Sequence, residues 1–150
     1  MQYIYEFEIY KGTKDYIVKP FDLEGATQGT SIEDACTSAY DWLKVSLENY
    51  AINNITPPKA TFENKPKHKG RILIFGVDAG KETVNRVSAS EASRMLGVSP
   101  ARITQLAKNN KLETFKEGGT VWVTIDSINQ RLKDAPSAGR PKSDNQAVAV

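Results

Sequence analysis

The chain contains very little of the two side chains that build most protein metal sites and covalent cross-links. Among its 150 residues, Cys36 is the only cysteine and His68 is the only histidine. A single cysteine excludes an intramolecular disulfide and a cysteine-based zinc site, and it is typical of proteins from a reducing compartment. A single histidine excludes a multi-histidine metal site. We therefore expect no bound metal and no cofactor.

Long apolar runs are also absent from the sequence. No run approaches the roughly 20 residues that a membrane-spanning helix needs. The first residues alternate between apolar and polar types, which is unlike a signal peptide. These features predict a cytoplasmic protein without a membrane partner. A chain of 150 residues is too short for a TIM barrel, but it can form one medium domain or two small ones.

Acidic and basic residues are divided unevenly along the chain. Residues 1–84 contain ten Lys and Arg against twelve Asp and Glu, which gives a net charge of −2. Residues 85–150 contain ten against six, which gives a net charge of +4. A net positive C-terminal part permits an anionic partner.

The N-terminal part carries the pattern of a small sheet with one helix. Residues 3–10 alternate between apolar and polar, which predicts a strand with one buried face, and residues 16–18 predict its hairpin partner. Ser31 can cap the N–H groups of a following helix. Residues 71–77 are continuously apolar and predict a central strand. This order predicts an α+β fold with one helix on a mostly antiparallel sheet. The helix carries an apolar stripe of Ile32, Ala35, Ala39, Leu43 and Leu47.

The C-terminal part has the pattern of short helices. Residues 78–86 show no periodicity and predict a linker. A helix capped by Ser88 or Ser90 ends at Gly97, and a second helix begins after Ser99, with Pro100 in its first turn. Two short helices joined by three residues have the spacing of a helix-turn-helix. The following segments predict a β-hairpin, or wing, with its turn at residues 116–119, and a last helix capped by Asp126.

Both parts resemble known families. Residues 90–99, followed by Ile103 and Lys111-Leu112, resemble the MerR- and excisionase-type winged helix-turn-helix, with Ser93 where most such sequences have alanine. Residues 1–77 resemble the HicB antitoxin domain in their loop at residues 21–29, their helix start at Ser31-Ile32-Glu33-Asp34-Ala35 and their Pro57-Pro58 pair. The loop lacks the two prolines and the cysteine that the family usually has.

The resemblance implies a function and a domain organisation. HicB-like antitoxins have a partial RNase H-like fold without nuclease activity. They bind a small HicA-type toxin that cleaves mRNA, and they repress their own operon by binding its promoter DNA as a dimer or higher oligomer. We therefore expect a HicB-like α+β domain for toxin binding and dimerisation at residues 1–80, a linker at 81–87, a winged helix-turn-helix domain at 88–135 and a disordered tail at 136–150.

The second helix of the helix-turn-helix supplies the predicted DNA contacts. If Ile103 and Leu106 face inward, Arg102 and Gln105 point outward, where they can make paired hydrogen bonds to guanine and adenine. The predicted DNA-binding residues are Ser99, Ala101, Arg102, Thr104, Gln105, Lys108, Lys111, Lys116 and Thr120. The predicted toxin-binding residues are the strand aromatics Tyr3, Tyr5 and Tyr10.

Two other functions stay open at this point. An RNase H-like nuclease would use acidic residues such as Asp15, Asp22 and Glu24 to hold metal ions. A stand-alone regulator would use the N-terminal domain to sense a small molecule. Residues 76–83 are similar to a phosphate loop, but they have three residues between the glycines instead of four, and Glu82 follows Lys81 where Ser or Thr is required. We therefore expect a binding protein and not an enzyme.

Overall fold

The computed structural model describes residues 1–134. The chain divides into two compact units, an N-terminal unit (Met1–Val84) and a C-terminal unit (Asn85–Val150). Both units have α+β structure with a small antiparallel sheet. Within residues 1–134, no helix combines the length and apolar character that crossing a membrane requires. The tail predicted at residues 136–150 lies outside the described residues.

A four-stranded antiparallel sheet forms the base of the N-terminal unit. Its strand order is β3-β2-β1-β4, which corrects the prediction that the apolar run 71–77 is a central strand. That run lies in the edge strand, and Ile74 is 62% exposed. The central strand is the N-terminal one, whose Ile9 lies opposite both Val18 and Arg71. The strands are β1 (Gln2–Lys11), β2 (Tyr16–Pro20), β3 (Thr27–Gly29) and β4 (Arg71–Asp78).

One long helix, α1 (Ile32–Ile52), covers one face of this sheet. Its start is fixed as the sequence predicts, because the Ser31 hydroxyl accepts a hydrogen bond from the Asp34 N–H at 3.0 Å. The predicted stripe packs against Phe7, Ile9 and Val18 of the sheet, although Ile32 at the first turn is exposed. The buried stripe residues are Ala35, Ala39, Leu43 and Leu47.

The opposite face of β1 differs from the prediction. The alternating pattern predicts a solvent-facing side, yet Glu6 and Glu8 are only 4% and 2% exposed. The loop between α1 and β4 lies over this face, and its backbone N–H groups bind both carboxylates. The central strand is therefore buried on both faces, by α1 on one side and by an irregular loop on the other.

The C-terminal unit encloses its own small core. A three-stranded antiparallel sheet of order β5-β7-β6 packs with three helices around Ala92, Ile103, Leu106, Leu112, Val123 and Ile128. The strands are β5 (Arg86–Ser88), β6 (Thr114–Glu117) and β7 (Thr120–Thr124). The helices are α2 (Ala89–Leu96), α3 (Pro100–Lys108) and α4 (Ile125–Asp134).

Two local predictions for this part of the chain are wrong. The segment predicted as a linker contains a 3₁₀ turn at Lys81–Thr83 and the strand β5, whose Val87 pairs with Val123. The cap of α4 is Thr124 and not Asp126, because the Thr124 hydroxyl accepts a hydrogen bond from the Ser127 N–H at 3.3 Å. Thr124 is buried, so this cap also attaches the start of α4 to the core.

Candidate nucleic-acid interface

Helix α3 has one buried face and one exposed polar face. Ser99 begins the helix by accepting a hydrogen bond from the Arg102 N–H at 3.2 Å, and Pro100 occupies the first turn. Ile103 and Leu106 are buried in the core of the C-terminal unit. The side chains predicted to face DNA are all exposed: Ala101, Arg102, Thr104, Gln105 and Lys108.

The two predicted base-reading side chains lie next to each other. The Arg102 guanidinium donates to the Gln105 amide oxygen at 3.2 Å across one turn of α3. This contact aligns a guanidinium fork and a primary amide on the same exposed face. Both groups can form two parallel hydrogen bonds to a base edge in the major groove. The contact is on the surface, so it can be exchanged for base contacts at little cost.

The turn before α3 is closed by three interactions. Ser88 caps α2 by accepting from the Glu91 N–H at 3.1 Å. Gly97 ends α2 in the left-handed region, with φ of 66° and ψ of 36°. The hydroxyl of Ser93 donates to the carbonyl of Val98. Ser93 is the position that departs from the common alanine, and here its hydroxyl helps to hold the turn that positions α3.

The hairpin β6-β7 projects the two remaining predicted contacts. Lys116 and Thr120 are exposed on either side of the Gly118-Gly119 turn, where both glycines have positive φ. Arg86 of β5 stabilises the base of the hairpin, because its guanidinium pairs with Glu117 and lies over the ring of Trp122 at 4.7 Å. The sequence prediction did not include Arg86, since a three-residue strand leaves too short a pattern.

Lys111 follows α3 on the exposed surface. Asn110 adopts a positive φ of 58°, and the Lys111 N–H donates to the carbonyl of Leu106 at 2.8 Å. The next residue, Leu112, is buried. Lys111 is thus held at a defined place beside the end of α3, with its side chain toward solvent.

The three predicted toxin contacts have different environments. Tyr3 and Tyr10 are half-buried, and the Tyr10 ring stacks on His68 with centroids 4.2 Å apart. Tyr5 is 2% exposed, and its hydroxyl donates to the carbonyl of Pro58. Burial raises the pKa of the Tyr5 phenol. Tyr5 is therefore a core residue, which corrects its assignment as an exposed contact.

The carboxylates of the N-terminal unit are engaged in structural hydrogen bonds. Asp22 accepts from both the N–H and the hydroxyl of Thr61, at 2.8 and 2.9 Å. Hydrogen bonds from Asn64 and from the Glu63 N–H hold the pKa of Glu6 below its usual value. In residues 1–134, no group of three or more His, Cys, Asp or Glu side chains is placed to hold a metal ion.

Glu8 is the more deeply engaged of the two buried glutamates. The Lys67 N–H donates to its Oε1 at 2.8 Å, and the N–H groups of His68 and Gly70 donate to its Oε2 at 2.8 and 2.9 Å. Burial acts to raise the pKa of Glu8, but these backbone hydrogen bonds outweigh it and lower the pKa below its usual value. The sequence analysis missed this role because the partners lie about 60 residues away along the chain.

Comparisons with known proteins give one structural likeness. No protein-family model matches the chain, and no curated protein matches it. The chain is similar to a chain of a solved structure described as a toxin–antitoxin complex from Streptococcus pneumoniae, with a TM-score of 0.47 and 19% identity. The match covers 74% of this chain and 99% of the other. A likeness at this level leaves the function to be argued from the chain's own residues.

Proposed function

We propose that the protein is a DNA-binding antitoxin of the HicA/HicB type. In this proposal the C-terminal unit is a winged helix-turn-helix that binds operator DNA, and the N-terminal unit binds an mRNA-cleaving toxin of the HicA kind. The observation that carries the DNA-binding part is α3, whose buried Ile103 and Leu106 leave Arg102 and Gln105 aligned on an exposed face. The toxin-binding part depends on the HicB-like sequence features of residues 1–77.

The exposed groups around α3 divide into two kinds of contact. Arg102 and Gln105 would read base edges in the major groove, each for roughly 1–3 kcal/mol of discrimination. Ser99 at the start of α3, with Lys108 and Lys111 beyond it, would contact phosphates and set the position on the duplex. Lys116 and Thr120 would contact the backbone from the hairpin.

One C-terminal unit offers few phosphate contacts, so we propose that the protein binds DNA as a homodimer or higher oligomer. Two copies would occupy half-sites about 34–36 Å apart, or a multiple of that distance. The protein acts without catalysis in this proposal. The carboxylates that a nuclease would need, among them Asp22, Glu6 and Glu8, accept hydrogen bonds from the loop before β4.

The DNA-binding part is tested with the variant Arg102→Ala/Gln105→Ala. A gel-shift titration on the DNA upstream of the protein's own coding sequence should show that the variant loses its preference over unrelated DNA, by about 10-fold or more. The matched control is Gln130→Ala/Arg131→Ala on α4, which removes the same two side-chain types elsewhere. Unchanged promoter preference in the α3 variant would contradict the assignment of α3 as the recognition helix.

The toxin-binding part is tested by co-expression and pull-down with the product of an adjacent short reading frame. We expect Tyr10→Ala to weaken capture, because Tyr10 is the partly exposed aromatic of β1 that stacks on His68. Tyr40→Ala on α1 is the control, since Tyr40 is also exposed but lies on the other side of the sheet. Equal capture by the two variants would remove Tyr10 from the contact surface.

A further inference from the structure

The N-terminal unit separates its charges by the two faces of its sheet. Helix α1 on one face contains Glu33, Asp34, Asp41 and Glu48 against the single base Lys44. The segment at residues 59–71, which leads over the other face into β4, contains five of the unit's ten basic residues and a single acid, Glu63. A unit with net negative charge therefore has one strongly basic side.

The centre of this basic side is a loop with a fixed backbone. Lys67, His68 and Gly70 donate their N–H groups to the buried carboxylate of Glu8, and Asn64 donates to Glu6. Gly70 cannot be replaced without movement, because a Cβ there would lie 2.1 Å from the carbonyl oxygen of Ile9. The loop thus holds its position although it has no regular secondary structure.

The basic side chains on this loop are exposed. Lys65, Lys67 and Lys69 all face solvent, and Lys19 of β2 is exposed on the same side of the sheet opposite Glu8. Within the described residues, no carboxylate lies within ion-pair distance of these four lysines. We call these four lysines and His68 the loop surface. His68 adds an exposed ring that already stacks on Tyr10 at 4.2 Å.

The composition of the loop surface favours phosphate over protein as its ligand. Protein–protein interfaces are depleted in lysine and are centred on apolar or aromatic anchors. The loop surface has four lysines and a single ring. Lysine ammonium groups on flexible stems suit the spaced charges of a phosphodiester chain, which binds them with release of counterions. An exposed ring beside such charges can also stack on an unpaired base.

We propose that the loop surface is a second nucleic-acid site that binds the phosphodiester backbone without reading sequence. It differs from the proposed function, in which α3 of the C-terminal unit reads an operator. The fixed backbone keeps the lysines clustered before the nucleic acid arrives, so less conformational freedom is lost on binding. The buried negative charge of Glu8 lowers the potential under the loop, and four lysines exceed it.

The test measures how the binding of full-length protein depends on salt. The probes are a 30-base-pair duplex of arbitrary sequence and a 30-nucleotide polyuridylate strand, followed by fluorescence anisotropy from 50 to 300 mM KCl. The loop variant is Lys65→Gln/Lys69→Gln. The control is Lys14→Gln/Lys44→Gln, which removes the same charge from the same unit outside the loop surface. Circular dichroism and Tm verify that each variant is folded.

The inference expects the loop variant to reduce the slope of log K against log salt by about 1.8, or about 0.9 for each lost phosphate contact, while the control keeps the wild-type slope. A reduction on the polyuridylate alone would assign the site to single strands, and a reduction on both probes to either form. Equal slopes for the loop variant and the control, or tighter binding of polyglutamate than of either nucleic acid, would overturn the inference.

The same variants separate this inference from the proposed function. If α3 reads the operator and the loop surface is only a solvated cluster, the loop variant keeps both promoter preference and salt slope. If the loop surface binds nucleic acid and α3 does not read DNA, the loop variant loses slope while Arg102→Ala/Gln105→Ala leaves promoter preference unchanged. Each result thus overturns one of the two statements and leaves the other standing.

Discussion

The two units position their exposed functional residues by different means. The C-terminal unit uses apolar packing and helix caps, with Ile103 and Leu106 under α3 and Ser99 at its start. Thr124 is the one buried polar residue among its described positions. The N-terminal unit instead buries the carboxylates of Glu6 and Glu8 to hold an irregular loop. A helix face needs only the right periodicity, whereas the loop depends on charged hydrogen bonds.

The largest expected effect comes from removing the carboxylate that holds the loop. Glu8→Leu leaves three backbone N–H groups without their acceptor, and we expect it to lower the free energy of unfolding of the N-terminal unit by about 3 kcal/mol. Urea unfolding can be followed by Trp42 in a Trp122→Phe background, because the chain has one tryptophan in each unit. The exposed Glu24→Leu is the control, and equal stability of the two variants would contradict the structural role of Glu8.

The second prediction concerns acid. The pKa values of Glu6 and Glu8 lie below their ordinary values, so each carboxylate stabilises the folded unit above the unfolded pKa of about 4.5, and this stabilisation is lost as the pH falls through the lowered folded pKa. We expect Trp42 to report acid unfolding at a higher pH than Trp122, each measured with the other tryptophan replaced by phenylalanine. Coincident midpoints would show that the buried carboxylates do not distinguish the units.

The third prediction addresses the turn that sets α3. Gly97→Ala places a Cβ at a φ of 66°, and we expect it to destabilise the C-terminal unit by about 1–2 kcal/mol through backbone strain alone, because nothing lies within 4 Å of the added atom. Gly76→Ala in β4 is the matched control, since it adds the same atom at an ordinary φ, 4.0 Å from Ile4. Thermal unfolding followed by Trp122 should change only for Gly97→Ala.

The smallest expected effect is the loss of the cap of α3. Ser99→Ala removes the acceptor of the Arg102 N–H and should reduce the stability of the C-terminal unit by about 1 kcal/mol. Ser90→Ala is the control, because Ser90 is exposed and does not cap a helix. Chemical denaturation of both variants measures the difference. A larger loss for Ser90→Ala would mean that the start of α2, and not that of α3, limits the stability of this unit.

Much of the local structure could be predicted from the sequence, because it depends on neighbours within a few residues. Ser31 and Ser99 are helix caps, and Gly97 ends α2, as expected from the preferences of these residues. The 3.6-residue period placed Ile103 and Leu106 inside, which leaves the polar residues of α3 exposed.

The features that the sequence analysis missed depend on long-range contacts. An apolar run such as residues 71–77 has the same pattern in a central strand and in this edge strand. Alternation predicted that Glu6 and Glu8 face water, and nothing near them along the chain indicates the covering loop. Tyr5 was assigned to the surface for a related reason, because its partner Pro58 lies 53 residues away. Contacts of this kind follow from the folded chain and not from local periodicity.

The carboxylate contacts also make a statement about hydrogen exchange. The amides of Asn64, Lys67, His68 and Gly70 lie in a segment without helix or strand, where rapid exchange with deuterium is the usual behaviour. Here each amide proton is held by a buried acceptor on the central strand. Their exchange should be as slow as that of β1 itself, because it requires opening of the whole unit. A protection map would thus mark this loop as if it were one more strand.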